Sequence, residues 1–268
     1  MSGMNGGVKA VCAGCFAMFP VFLVISIRYP SVIDKYIAPL FVKFGSTQKP
    51  ERMAKEIQRK AFHINGLLLP LLYWLFVSNG MRKLTFLIIL ASLVILVTLV
   101  DGLRTHVPAL NKAVVKSFGA LLREKEKDQT SGLTPYFIGS IVSILFFQPP
   151  IAVAAIASLC TGDYAAAIIG VGFGKHKLVG SKSLEGSLGC FVASLMTNAL
   201  VIVAVATDLD PSDVLGLATA GAFCCTVGEL FSSDVWMLDD NFVVPVTGAI
   251  GMFVCAVLQG ANLSFSSF

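Results

Sequence analysis

Long, nearly uninterrupted apolar runs limit what this chain can fold into more than any other feature. Eight segments approach the roughly 20 residues that a helix needs to cross a hydrocarbon core of about 30 Å. They are 11–29, 61–78, 84–103, 133–149, 150–172, 187–207, 213–231 and 242–259. Backbone groups in lipid must be satisfied within the segment, which leaves helices as the natural spanning element. The expected fold class is therefore all-α: a polytopic integral membrane protein with about eight transmembrane helices. Residues 1–268 are read as one membrane domain. Charged residues make up only 13% of the chain, about half the usual share of roughly 25%. That deficit excludes a water-soluble globule, a disordered chain and a nucleic-acid-binding surface. No basic stretch followed by a cleavage site opens the sequence, so the first run is expected to stay. The fourth and fifth runs meet at Pro149-Pro150, which reads as a tight turn between two helices.

The cations give the spans a direction. Of the 20 Lys and Arg, only Lys9, Arg82 and Lys83 fall in the N-terminal tail or the even-numbered connections. The others cluster in the odd connections 31–60, 104–132 and 173–186 or at the helix ends beside them. Positive charge marks the cytosolic side, so the odd connections are expected in the cytosol and both termini on the other side. The seventh connection has no cation but carries Asp234, Asp239 and Asp240. Carboxylates on the same face as basic loops suggest a metal held by oxygen ligands and an anion gripped by cations. The alternative is a set of ordinary solvated charges.

The seven cysteines fall in apolar runs and read as small packing residues. Cys12 and Cys15 have metal spacing, but the second pair that a zinc ribbon requires is absent. Three scattered histidines and the absence of a G-x-S-x-G or H-E-x-x-H motif leave no hydrolase reading.

Ionisable groups inside spans are costly and point to function. Asp163 lies within the fifth span, on a stripe with Ala167, Gly170 and Gly174 that lets a helix or ligand approach closely. A helix seam with a satisfied Asp is the alternative. Glu229 closes the seventh span. Asp101 and Arg104, three apart, either pair with each other or face a ligand. The stretch 170–189 combines Gly170, Gly174 and Gly186 with Lys175, Lys177 and Lys182. Converging backbone N–H groups and lysines suit phosphate oxygens. It is neither a Walker loop nor a dinucleotide fingerprint, and a flexible Gly-rich linker is the alternative.

Four segments in order resemble the CTP-dependent lipid kinases: diacylglycerol kinases of the yeast type, dolichol kinases and phytol kinases, relatives of the phosphatidate cytidylyltransferases. The first runs from Arg59-Lys60 to His63. The second joins Asp101 and Arg104 to Gly119, Arg123, Glu126 and the Tyr136–Gly139 stretch. The third runs from Gly162-Asp163 through Gly170 to Lys182-Ser183, Glu185 and Gly186. The fourth joins Glu229 to Asp239-Asp240-Asn241 and Pro245. The match covers about residues 56–250. The Asp101–Gly139 block and the Asp239–Pro245 run are most similar to the diacylglycerol kinase branch. The longer aspartate signature of the cytidylyltransferases is missing, which argues against nucleotidyl transfer.

The resemblance implies transfer of the γ-phosphate of CTP to a lipid hydroxyl, diacylglycerol to phosphatidate, with Mg²⁺ or another divalent cation. It implies an active site on the cytosolic face and a location in the endoplasmic reticulum. Catalytic roles are expected for Asp163, Lys182, Glu185 and Asp240. Gly170, Gly174, Lys175, Lys182, Ser183, Gly186 and Asn241 are expected at the nucleotide, with Arg59, Lys60, Arg104 and Arg123 on phosphate oxygens. Asp163, Asp239, Asp240 and Glu229 are the expected metal ligands. The expected partners are the lipid alcohol and CTP, with a homodimer left open and no nucleic acid. The same chemistry on a polyprenol or phytol is the nearest alternative. A cytidylyltransferase-like enzyme or a transporter is more distant, and no internal repeat of the transporter kind is visible.

Overall fold

The computed structural model describes Pro39, Lys43, Ile57, Lys60 and Leu263 together with residues 63–118, 132–206, 209–232 and 235–261. The first apolar run, Arg59, Arg123, Glu126 and Asp234 lie outside these residues, as does the side chain of His63. Among the described residues, a 3-10 turn, His63–Leu67, leads into eight α-helices: α1 Leu68–Ser78, α2 Lys83–His106, α3 Pro108–Phe118, α4 Leu133–Phe146, α5 Pro149–Phe173, α6 Leu184–Val205, α7 Pro211–Phe231 and α8 Asp240–Gln259. No named strand occurs among the described residues. Among the described residues, five helices, α2, α5, α6, α7 and α8, are long and apolar enough to cross a membrane. The chain is an all-helical, polytopic membrane protein.

Two expected spans are shorter than their apolar runs. The run 61–78 divides into the 3-10 turn and the 11-residue α1, and α4 has 14 residues. At 1.5 Å per residue both fall short of a full crossing. Between α4 and α5 the break lies at Phe147-Gln148, immediately before the prolines. Pro149 and Pro150 open α5 instead, where a missing N–H costs nothing.

The core is built around α5. From Pro150 to Cys160 every side chain is buried, and Ala152, Ala154, Ala155 and Ala157 keep the helix thin. A helix that is apolar and small all round is the one that others can surround. It packs against α1, α4, α6, α7 and α8, while α7 and α8 pack on each other and α4 lies along α8. Polar links tie the centre together. Ser158 donates to the Asn198 side-chain oxygen at 2.6 Å, and Asn198 donates in turn to the Ala218 carbonyl at 3.3 Å, joining α5, α6 and α7. Such hydrogen bonds are a main source of helix association where lipid removes the hydrophobic drive.

One close approach fixes α8. A Cβ on Gly139 of α4 would lie 2.9 Å from the Phe242 Cα and 3.0 Å from the Asn241 carbonyl. Pro245, four residues after Asn241, has no N–H to give that carbonyl. Gly260 ends α8 in the left-handed conformation, with φ 67°.

With the short α3 left aside, neighbouring helices run antiparallel. Lys83 at the start of α2 donates to the Phe147 carbonyl just past α4, Gly170 late in α5 lies against Gly186 early in α6, and Asn241 of α8 reaches the Gly132 carbonyl before α4. The ends of α2, α5 and α7 therefore share one face with the starts of α4, α6 and α8. That face holds the charged residues discussed next.

Candidate functional site

Asp163 sits on α5, 3% exposed, ten residues before the helix ends. Its carboxylate forms an ion pair with the Lys60 ammonium, and both side chains are almost fully enclosed. The 3-10 turn that follows Lys60 is seated against α5 and α4. A Cβ on Gly66 would touch the Cys160 sulfur at 2.7 Å, and the Tyr136 hydroxyl donates to the Gly66 carbonyl at 2.6 Å. Tyr136 thus helps to hold the chain near Lys60 to the surface of α5.

A second ion pair joins Lys182, just before α6, to Glu229, near the end of α7. Burial alone would make Lys182 easier to deprotonate. Glu229, through charge and hydrogen bond, outweighs that, and Asp240 and Asp163 add to it, so the ammonium is held above the ordinary lysine value. These interactions bring Asp163, Lys182, Glu229 and Asp240 together from four separate segments of chain. Asp163 and Asp240 also act electrostatically on Glu229. Cations and carboxylates alternate, so a polyanion carrying its own counter-cation can exchange into the network without leaving bare charge.

The connection 174–183 is a small hairpin. Lys177 and Ser183 form an antiparallel bridge, and the Leu178 N–H donates to the Lys182 carbonyl at 3.0 Å. Gly180, at φ 52°, allows the reversal. Glu185, on the first turn of α6, closes it. Its carboxylate accepts the Lys175 N–H at 3.0 Å, the His176 N–H at 3.2 Å and a bond with His176 Nδ1 at 2.7 Å. Glu185 therefore shapes the loop that carries Lys182. The Lys175 and His176 side chains are exposed.

Ser183 caps α6 by accepting the Gly186 N–H at 3.2 Å. The glycines expected at phosphate sit in close contacts. A Cβ on Gly174 would meet the Ser183 hydroxyl at 2.6 Å, and one on Gly186 would meet the Gly170 Cα at 3.1 Å. Asn241 donates from its side chain to the Gly132 carbonyl at 3.4 Å and from its backbone to Asp239 at 2.9 Å, which caps α8. Arg104 is enclosed at the end of α2, donating to Asp101 at 2.6 Å and to Asn111 at 3.0 Å.

Among the described residues, no three His, Cys, Asp or Glu side chains converge closely enough to hold a metal by themselves. Mg²⁺ does not require that, since it commonly takes one or two carboxylates and completes its shell with water and substrate phosphates. Asp239 and Asp240, adjacent at the start of α8 and only partly buried, offer hard oxygen donors of the right kind.

The two lysine–carboxylate partnerships were not legible as pairs in the sequence, where Lys60 and Lys182 stood as phosphate ligands and Asp163 and Glu229 as metal ligands. Their shared presence on one face is the signal that could have joined them. Tyr136 and Gly139, noted only as part of a motif, prove to be positioning residues.

No family model and no solved structure matches the chain. Curated proteins do. It is 31% identical to the CTP-dependent diacylglycerol kinase 1 of Schizosaccharomyces pombe over 160 residues, 58% of this chain and 73% of that protein. It is 28% identical to the Saccharomyces cerevisiae protein of the same name over 222 residues, 76% of this chain and 74% of that one. Farnesol kinase of Arabidopsis thaliana is 27% identical over 221 residues, 79% of this chain and 69% of the plant protein. With the ordered motifs, the membrane fold and the convergent charges, these likenesses identify the chain as a lipid kinase that belongs to the CTP-dependent lipid kinase family.

Proposed function

We propose that this protein transfers the γ-phosphate of CTP to the hydroxyl of diacylglycerol, giving phosphatidate and CDP, at the cytosolic face of the endoplasmic reticulum. The observation that carries the proposal is the meeting of Lys182 with Glu229, Asp240 and Asp163 at one end of an apolar bundle. Phosphoryl transfer asks the protein for position and charge neutralisation more than for covalent chemistry. A site at the end of a membrane helix supplies both, with nucleotide on the water side and the acceptor hydroxyl at headgroup depth.

In this reading Lys182 turns from Glu229 to the triphosphate, with Lys175 of the same hairpin beside it. Lys60, with Arg59 next to it in sequence, meets the transferring phosphoryl group. The acceptor oxygen bonds to the γ-phosphorus, the bond from that phosphorus to the bridging oxygen breaks, and CDP leaves. The hydroxyl proton passes to the Asp163 carboxylate, the charged group set deepest in α5. Asp239 and Asp240, with Glu229 behind them, would hold Mg²⁺, which when bound neutralises charge on the triphosphate. Arg104 stabilises the α2–α3 elbow through Asp101 and Asn111. Ser183, Gly186 and Asn241 set the helix starts that frame the nucleotide.

A prenol acceptor is the second reading. It is favoured by the plant relatives named for farnesol and phytol, which align over a larger share of this chain than the fission-yeast protein does. Offering purified protein labelled CTP with diacylglycerol, dolichol, phytol or farnesol in matched vesicles separates the two. Preferential label in phosphatidate supports diacylglycerol. Preferential label in a prenyl phosphate transfers the assignment to the prenols.

A further inference from the structure

The connection between α7 and α8 has a property that the phosphate chemistry does not use. Val235, Trp236, Met237 and Leu238 stand in a row, all exposed, with Met237 88% exposed. Many of the other exposed apolar residues, such as Leu96 on α2 and Phe253 on α8, lie on helices long and apolar enough to cross a membrane. These four lie outside any helix.

The loop is built to present them. The Val235 and Trp236 N–H groups donate to the Phe231 carbonyl at 3.2 and 2.9 Å, and the Leu238 N–H donates to the Ser232 carbonyl at 3.0 Å. Met237 takes φ 55°, a left-handed conformation that residues with a Cβ rarely adopt. The Phe231 ring lies 6.1 Å from that of Trp236, carrying the apolar surface of α7 onto the loop. Polar groups bracket the segment, Glu229 and Ser232 before it and Asp239 and Asp240 after it. Two adjacent spans therefore fix this loop at the level where hydrocarbon meets water, the depth that tryptophan prefers.

We propose that Val235–Leu238 is a lip inserted into the adjacent leaflet at headgroup depth, across which the lipid acceptor brings its hydroxyl toward Asp240 and Glu229. The occupant of this surface is the bilayer itself. Continuity with the lipid-facing side of α7 and the two flanking helix ends argue for lipid rather than a protein partner. Insertion stands independently; the acceptor's route rests on the lipid kinase reading.

Trp236 is one of two tryptophans, and the other, Trp74, is buried. Subtracting the emission of a W236F variant from that of the wild type therefore isolates the Trp236 signal without disturbing the core. The protein is placed in phosphatidylcholine vesicles carrying either a headgroup nitroxide or mid-chain bromine. The expected result is strong quenching by the nitroxide, weaker quenching by bromine and little by aqueous iodide. Quenching by iodide with no effect of either lipid probe overturns insertion. In the kinase assay, the W236S/M237S double variant should raise KM for surface diacylglycerol about tenfold, equivalent to 1.4 kcal/mol of lost apolar contact, with KM for CTP unchanged. An unchanged acceptor KM, or a rise in KM for CTP alone, overturns the role in acceptor access. The quenching experiment requires no turnover, so a wrong lipid kinase reading leaves it decisive for insertion.

Discussion

Lys60 and Asp163 are 103 residues apart in the chain, yet they form an ion pair whose two side chains are each only 4% exposed. Breaking one side of such a buried pair typically costs about 3–5 kcal/mol, because it leaves a charge without compensation. Lys60→Met and Asp163→Leu are each expected to lower the thermal midpoint by that measure. The double variant should recover most of the lost stability and none of the activity. A thermal-shift assay run beside a kinase assay checks both halves. Recovery of activity in the double variant would reduce the pair to a structural device.

Lys182 offers a pH test. Its ammonium is held above the ordinary lysine value, with Glu229 the chief favourable influence. A raised pKa gives stabilisation that is complete below the unfolded lysine's pKa and is lost only as pH climbs through the folded one. CTP binding by the wild type should therefore stay level through neutral and mildly alkaline pH. In Glu229→Gln the lysine loses its partner, and the alkaline loss of CTP affinity should move to lower pH. KM for CTP measured across the alkaline range in both proteins decides the matter, and coincident profiles would count against the partnership.

Glu185 is expected to act through the hairpin rather than on the phosphates. Its carboxylate collects the Lys175 and His176 N–H groups and the His176 ring. Glu185→Gln keeps the shape but loses the charge on those bonds. It should raise KM for CTP several-fold and speed tryptic cleavage at Lys175 and Lys177, with α6 otherwise intact. Faster cleavage is the part that a purely catalytic role for Glu185 would not produce.

Two glycines make a contrasting pair. A Cβ at Gly139 would press on the backbone of Asn241 and Phe242, whereas one at Gly102 meets nothing within 4 Å. Gly139→Ala should cost about 1–3 kcal/mol by overpacking and shift the start of α8, lowering activity with it. Gly102→Ala should be neutral or stabilising by up to about 1 kcal/mol. Thermal midpoints of the two variants test the packing directly.

Helices α2, α4, α5, α6, α7 and α8 were legible because apolar runs of spanning length have few other uses. By contrast α3, eleven residues within the basic connection 104–132, has no such run to announce it. The break before α5 was displaced because Pro149 suits the first turn of a helix as well as it suits a turn. Within the site, Asp163 and Glu229 stood out as charges within apolar spans and Lys182 as a cation of the Gly-rich stretch. Their partners could not be read, since pairing Lys60 with Asp163 depends on how the 3-10 turn seats against α5. Gly170, Gly174 and Gly186 illustrate the ambiguity of glycine, because the same missing Cβ serves a phosphate or a close contact within the chain. The exposed Trp236 loop left no mark in hydropathy, because four apolar residues resemble the end of a span until the backbone leaves the helix.

The most direct test of the central claim places purified protein in diacylglycerol-containing vesicles with Mg²⁺ and nucleotide labelled at the γ-phosphate. Wild type should move label from CTP, and not from ATP, into phosphatidate, and Lys182→Ala should move almost none. Transfer from ATP alone, no label in any lipid, or full transfer by the Lys182 variant would contradict the account.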